Sequence, residues 1–200
     1  VQTLMRGDKV RAEFEKQGFE VLAMPCNVSR KDDLQGLVDK TLARWGRIDI
    51  AIANAASNPY YGPLTGLPDE AFDKVFLNNV KSVLWLASMT IPAMAERGGG
   101  SFITVGSIGG IIANTVIGAY GMSKAADHHL VRNLAAEWGP KGVRVNAIAP
   151  GLIKTDFAKA LWEDEKAVAQ RNAVTPLRRI GEPDEIGGIA AFLASKAASF

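Results

Sequence analysis

Short apolar runs alternate with longer amphipathic segments along the chain, and this alternation narrows the choice of folds more than any other feature. Residues 19–24, 48–53, 101–105 and 143–148 are brief and apolar, as buried strands are. Between and after them, residues 29–45, 69–97, 119–138 and 183–195 read as helices. Ser29 suits the N-cap of the first, and Pro183 suits the first turn of the last. The 69–97 helix is expected to bend near Asn78-Asn79, Pro92 can kink it, and Gly98-Gly99-Gly100 ends it. Gly139-Pro140 stops the 119–138 helix, residues 54–68 form a loop rich in Pro, Gly, Asn and Tyr, and residues 156–173 read as a helical excursion. Strands that alternate with helices call for an α/β fold with a largely parallel sheet. At 200 residues, without internal repeat, low-complexity stretch or linker, one domain is expected.

Composition excludes several function classes. The net charge is +2 with acids and bases interspersed, so neither a nucleic-acid stripe nor a membrane-binding helix is expected. No apolar run approaches the roughly 20 residues of a membrane span. Cys26 is the single cysteine, which rules out an internal disulfide and fits a reducing, cytoplasmic setting. The two histidines, His128 and His129, are adjacent and face different sides of a helix, so no histidine-rich metal site is expected.

Chemistry concentrates between residues 107 and 124. Tyr120 and Lys124 are an i, i+4 pair on one helical face, and Ser107 follows the 101–105 strand. Open α/β sheets bind ligands at the carboxyl ends of their strands, so two hydroxyls and an ammonium converge on one cleft. Such a group can move a proton onto or off a carbinol oxygen. A free tyrosine has a pKa of about 10, and bringing it near 7 takes about 4 kcal/mol. An ammonium about 4 Å away supplies on the order of 4 kcal/mol at an effective dielectric near 20. One lysine is therefore the right size, before burial of the phenolate reduces the gain. On spacing alone, a tyrosine and a lysine four apart are usually a surface pair.

Asn54-Ala55-Ala56, Asn79, Ser107, Tyr120-x-x-x-Lys124 and Pro150-Gly151 with Thr155, in that order, resemble the short-chain dehydrogenases/reductases. These are nicotinamide-dependent oxidoreductases on a Rossmann fold, and the likeness runs over essentially the whole chain. Residues 54–62 and 150–155 look most like the carbonyl and retinal reductase branch. The resemblance implies a doubly wound parallel sheet and hydride transfer between NADP or NAD, NADP taken first, and a small carbonyl or alcohol substrate. It implies that Tyr120 is the acid/base, that Lys124 lowers its pKa and bonds the nicotinamide ribose, and that Ser107 orients the substrate oxygen. Asn79 would hold a water linking Lys124 to solvent, although a kink or cap is an equal use for it and Asn78 lies beside it.

For the cofactor, the resemblance implies backbone contacts at Asn54 and Ala55 with the adenosine ribose. It implies an adenine contact at Asn27-Val28, where the family's aspartate is replaced by an amide that can still accept. Pro150, Gly151, the Ile153 backbone and Thr155 would hold the carboxamide, with a helix cap the alternative for Thr155. The 157–174 segment, carrying Phe157, Leu161 and Trp162, is either a lid over an apolar substrate or ordinary packing. Family tetramers pair the helices corresponding to 69–97 and 119–138. Ala125, Ala126, Leu130, Leu134 and Ala135 would serve such a homotetramer, or the core of one subunit. The family's glycine-rich phosphate loop and last strand do not occur, so these residues are expected to be part of a chain of roughly 250, incomplete at both ends. Without partners, residues 19–24 would then leave buried backbone groups unpaired. A 3-oxoacyl-thioester reductase and a catalytically silent binding scaffold are the other readings.

Overall fold

In the computed structural model, which describes residues 2–200, three parallel strands stand in the order β1 (Ile50–Ala53), β2 (Gly100–Val105), β3 (Val143–Ile148). Ala53 lies across from Thr104, and Val105 across from Ile148, so the carboxyl ends line one edge. The helices are α1 (Gln2–Lys16), α2 (Lys31–Trp45), α3 (Asp69–Phe76), α4 (Ser82–Glu96), α5 (Gly118–Trp138), α6 (Lys159–Trp162), α7 (Glu165–Val174) and α8 (Asp184–Ala194).

Side chains alternate across a strand, and both faces of β2 are covered. Phe102 shares the core with Val83, Ala87, Ile91 and Met94 of α4 and with Val131 and Leu134 of α5. Ser101 faces the other way, and its Oγ donates to the Leu193 carbonyl of α8. Burial of a side chain the size of Phe102 or Ile91 contributes about 1.5–3 kcal/mol. Arg144 of β3 ties down the end of α8 through the Leu193 and Ser195 carbonyls. Ile50 and Ile52 of β1 pair with Ser101 and Ile103 on the α8 side, and they remain 46% and 45% exposed.

Residues 19–24 form no strand, and Phe19 is 58% exposed. Among the described residues no strand runs alongside them, so a ladder has nothing to bond to. The helix expected from Ser29 starts at Lys31, because the Ser29 backbone N–H and hydroxyl both turn back to Asn27 Oδ1. The expected 69–97 helix keeps one course but changes its turn. α3 and α4 are joined by a π segment, Leu77–Lys81, in which the Ser82 N–H reaches back to the Leu77 carbonyl. α4 runs on through Pro92 to Glu96. The 156–173 excursion resolves into a 3-10 turn, α6 and α7.

Candidate active site

The site is assembled where β2 and β3 end. The Gly106 N–H donates to the Ile148 carbonyl at 2.7 Å, and the Ile108 N–H to the Pro150 carbonyl at 3.0 Å. Ser107 caps the short turn Ile108–Gly110, its Oγ accepting from the Gly109 N–H at 3.0 Å. That turn lies directly on α5. A Cβ added at Gly110 would sit 2.6 Å from the Lys124 carbonyl carbon. Ser107, Tyr120 and Lys124 are thereby brought together from two elements.

Lys124 is buried, although it carries a charge. Its Nζ donates to the Val105 carbonyl at 3.0 Å and to Asp127 Oδ2 at 3.1 Å, and lies 5.7 Å from the centre of the Tyr120 ring. An ammonium has three protons, so one remains for a ligand hydroxyl. Burial pushes the Tyr120 phenol above its ordinary value, a hydrogen bond with Ser107 pulls it back, and the Asp127 carboxylate and Tyr61 push it up again. Lys124, expected to make Tyr120 more acidic, is not among the groups that shift the phenol in this arrangement. The ammonium is turned to a carboxylate that offsets its charge, and the phenol is desolvated. Burial likewise pushes the Asp127 carboxyl up, against the pull of Lys124.

Asn79 stands at the centre of the π segment, fully buried. Its Oδ1 accepts from the Ser57 N–H at 2.8 Å, and its Nδ2 donates to the Ser57 carbonyl and to Ser123 Oγ, both at 3.0 Å. Ser123 Oγ donates in turn to the Tyr120 carbonyl. The amide is thus a latch joining the 54–68 loop to α5, and one lone pair of Oδ1 is left for water. Asn78 donates to Ser57 Oγ at 3.0 Å.

Most of the remaining expected positions follow the carboxyl ends of β1 and β3. Asn54 and Ala55 follow β1, both exposed. Pro150 and Gly151 follow β3. The chain from Leu152 to Lys154 pairs with Gly181, where the Lys154 N–H donates to the Gly181 carbonyl and the Gly181 N–H to that of Leu152, both at 2.9 Å. Ile153 is bridged to Gly181. Thr155 caps the turn Asp156–Ala158, its hydroxyl accepting from the Ala158 N–H, so the cap expected as its alternative use is present. Asn27 and Val28 lie outside the Ser107–Tyr120–Lys124 group, beside α2. The amide oxygen expected to accept from adenine already takes two bonds from Ser29, which fills both its lone pairs. In this structure the Asn27 side chain serves a local turn, with Val28 beside it.

Phe157 packs 6.0 Å from Tyr120, ring centre to ring centre, and Trp162 Nε1 donates to the Thr155 carbonyl at 2.7 Å. Tyr61 and Phe157 remain 43% and 49% exposed around the phenol, which gives the cleft an apolar rim. Sequence reasoning missed Asp127, Ser123 and Ser57. For Asp127 the signal was available as its i+3 offset from Lys124. A cavity of about 690 Å³ at the opposite end of the sheet, near Gly98, Arg144 and Ser195, gathers none of these groups. Among the described residues no cluster of ligating side chains could hold a metal, and no helix is long and apolar enough to cross a membrane.

The nicotinamide end of a dinucleotide fits the donor set here: a spare Lys124 proton, a neutral phenol and a serine hydroxyl at one strand edge. Comparison with known proteins points the same way. A family model described as "Enoyl-(Acyl carrier protein) reductase" matches residues 2–200. "Dehydrogenase/reductase SDR family member 4" of Mus musculus is 38% identical over 193 residues, covering 96% of this chain and 69% of the relative. A 7 alpha-hydroxysteroid dehydrogenase complexed with NADH and 7-oxo glycochenodeoxycholic acid superposes with a TM-score of 0.91 at 34% identity, over 98% of this chain and 76% of the other. A gluconate 5-dehydrogenase from Burkholderia cenocepacia J2315, in complex with NADP and tartrate, gives 0.90 at 29% identity, over 96% and 75%.

Proposed function

Because this chain belongs to the short-chain dehydrogenase/reductase family, we propose that it is a carbonyl reductase acting on small ketones or aldehydes, and on the matching secondary alcohols in reverse. It is an NAD(P)-dependent enzyme of that family on a Rossmann-like fold. The observation that carries the reading is the convergence of the Ser107 and Tyr120 hydroxyls above a buried Lys124 at the end of β2.

When bound, the nicotinamide gives or takes the hydride. Ser107 orients the substrate oxygen, and the neutral Tyr120 phenol donates the proton as that oxygen gains charge. Lys124 binds the ribose through its spare proton and stabilises the phenolate left behind. Asn79 fixes the position of α5 against the 54–68 loop and offers one lone pair to a water on the path to Lys124. Ala55, Gly151 and Thr155, at and beyond the ends of β1 and β3, would hold the cofactor. Tyr61 and Phe157 favour an apolar carbonyl substrate. NADP is taken ahead of NAD, and the cytoplasm is the assigned compartment.

Titration with NADPH and NADH, followed by assay against small ketones, retinal, and 3-oxoacyl and enoyl thioesters, tests the reading. Cofactor-dependent turnover of apolar ketones is the expected result. Turnover confined to thioesters would replace it with acyl-chain reduction, and binding of neither cofactor would leave a silent scaffold.

Self-association into a tetramer is part of the same proposal. Leu84 of α4 and Met122 of α5 are 44% and 43% exposed and suit a helix-to-helix interface. Leu130, Leu134 and Ala135, also expected there, pack into the subunit's own core. Light scattering is expected to return a tetramer, and a monomer mass at assay concentration refutes this part.

A further inference from the structure

Tyr60 and Tyr61 are neighbours in the loop between β1 and α3, and their hydroxyls are used differently. The Tyr60 hydroxyl folds back into the loop and donates to the Pro63 carbonyl at 2.9 Å. It lies against Gly62 and Gly66, where an added Cβ would meet it at 2.8 and 3.0 Å. Tyr61 is 43% exposed, and among the described residues its hydroxyl makes no hydrogen bond.

The loop is clamped to the start of the helix that carries Tyr120. Gly62 is bridged to Ile117, and its N–H donates to the Val116 carbonyl at 2.8 Å. Asn114 Oδ1 accepts from the N–H groups of Val116 and Ile117 and holds the other half of the clamp. Leu64 packs on Gly118, the first residue of α5, where an added Cβ would lie 3.2 Å from Leu64 Cδ1. Ile117 precedes Tyr120 by three residues, so the clamp sets Tyr61 about one helical turn from the proton donor. The two phenols are near enough for Tyr61 to push that of Tyr120 up. Phe157, the other exposed ring at Tyr120, offers no polar atom.

We propose that Tyr61 is a specificity-determining residue: its hydroxyl bonds a second oxygen of the substrate, so that the site prefers ketones bearing a hydroxyl or carbonyl oxygen on the carbon next to the reacting one. This rests on the reading of the site as a carbonyl reductase. Ser107 and Tyr120 take the reacting oxygen, the hydrocarbon part lies against Phe157, and the second oxygen meets Tyr61. Water satisfies the Tyr61 hydroxyl while the cleft is open. A substrate that covers it must supply a partner or leave it unpaired, and a site of this kind discriminates against the analogue lacking that partner. For an apolar contact alone, a phenylalanine would serve.

The test compares acetophenone with phenacyl alcohol, which is acetophenone carrying a hydroxyl on its methyl carbon. Wild type is expected to favour phenacyl alcohol in kcat/KM. Tyr61→Phe removes one oxygen and keeps the ring, and it is expected to lower that preference about fivefold. Tyr60→Phe removes the neighbouring hydroxyl and is expected to leave the preference in place. An equal preference in wild type and Tyr61→Phe overturns the proposal, and so does a wild type that favours acetophenone. Calorimetric titration of phenacyl alcohol in the presence of NADP, which has no hydride to give, reads the same contact without turnover. Binding to Tyr61→Phe is expected to be about fivefold weaker than to wild type. A protein that reduces neither ketone yet shows this loss would refute the enzymatic reading and leave the contact standing. If neither ketone is reduced, equal binding by the two proteins, or none by either, overturns the contact as well.

Discussion

Replacing Tyr120 by Phe is expected to lower turnover about a thousandfold and to leave the fold in place. The loss follows from the proton. Without the hydroxyl, no group at the end of β2 can protonate the substrate oxygen, and positioned general acids contribute roughly 10²–10⁴-fold. The fold survives because the change removes one oxygen and keeps the ring beside Phe157. The hydrogen bond with Ser107 is lost, a stability change of about 1 kcal/mol. Ser107 keeps its bond from the Gly109 N–H. Cofactor affinity is expected to stay within a few-fold, since Lys124 is anchored by Val105 and Asp127 rather than by the phenol. Steady-state kinetics, cofactor titration and thermal melting on one preparation check all three statements. Near-normal turnover would remove Tyr120 from the proton step.

Gly110→Ala is expected to cost about a hundredfold in turnover while leaving Ser107, Tyr120 and Lys124 unchanged. The new methyl would lie 2.6 Å from the Lys124 carbonyl carbon, 2.7 Å from the Ala125 nitrogen and 2.8 Å from the Lys124 carbonyl oxygen. All three are backbone atoms inside a helix and cannot swing away. The Ile108–Gly110 turn must retreat by about 1 Å, and Ser107 at its cap retreats with it. A misplacement of that size costs about 10²-fold in rate, and overpacking costs about 1–3 kcal/mol. For a domain of this length, each kcal/mol lowers the melting temperature by about 2–4 °C. Gly36→Ala is the control, because a Cβ there meets nothing within 4 Å. It sits inside α2 and should gain about 0.5–1 kcal/mol with turnover unchanged. Equal kinetics for the two variants would show that the close approach of the turn to α5 has no part in catalysis.

Strand and helix alternation was legible because period and length depend on local sequence. The 143–148 strand and the 119–138 helix lie within a residue of their observed bounds. Residues 19–24 carry the right composition yet form no strand, because a strand is a relation between two segments and composition describes only one. Asn78-Asn79 marked a bend. The π turn itself depends on Ser57 and Ser123, which lie 22 and 44 residues from Asn79. The residues of the Ser107–Tyr120–Lys124 group were singled out by spacing together with the family resemblance, whereas the direction of the Tyr120 titration was not legible. It turns first on the burial of the phenol itself, which spacing does not reveal. Leu130, Leu134 and Ala135 show the same limit, since periodicity finds an apolar face and does not say what covers it.

The widened turn at Leu77–Lys81 also sets the rotational phase of α4. Each residue advances an α-helix by about 100°, so one surplus position rotates everything downstream by that angle. Val83, Ala87, Ile91 and Met94 meet the sheet only with that offset in place. Deleting a single residue from 77–81 would yield a more regular helix and swing these four side chains away from Phe102. The irregularity at the catalytic end and the apolar contact at the far end are therefore one feature, and a shortened variant is expected to lose both together.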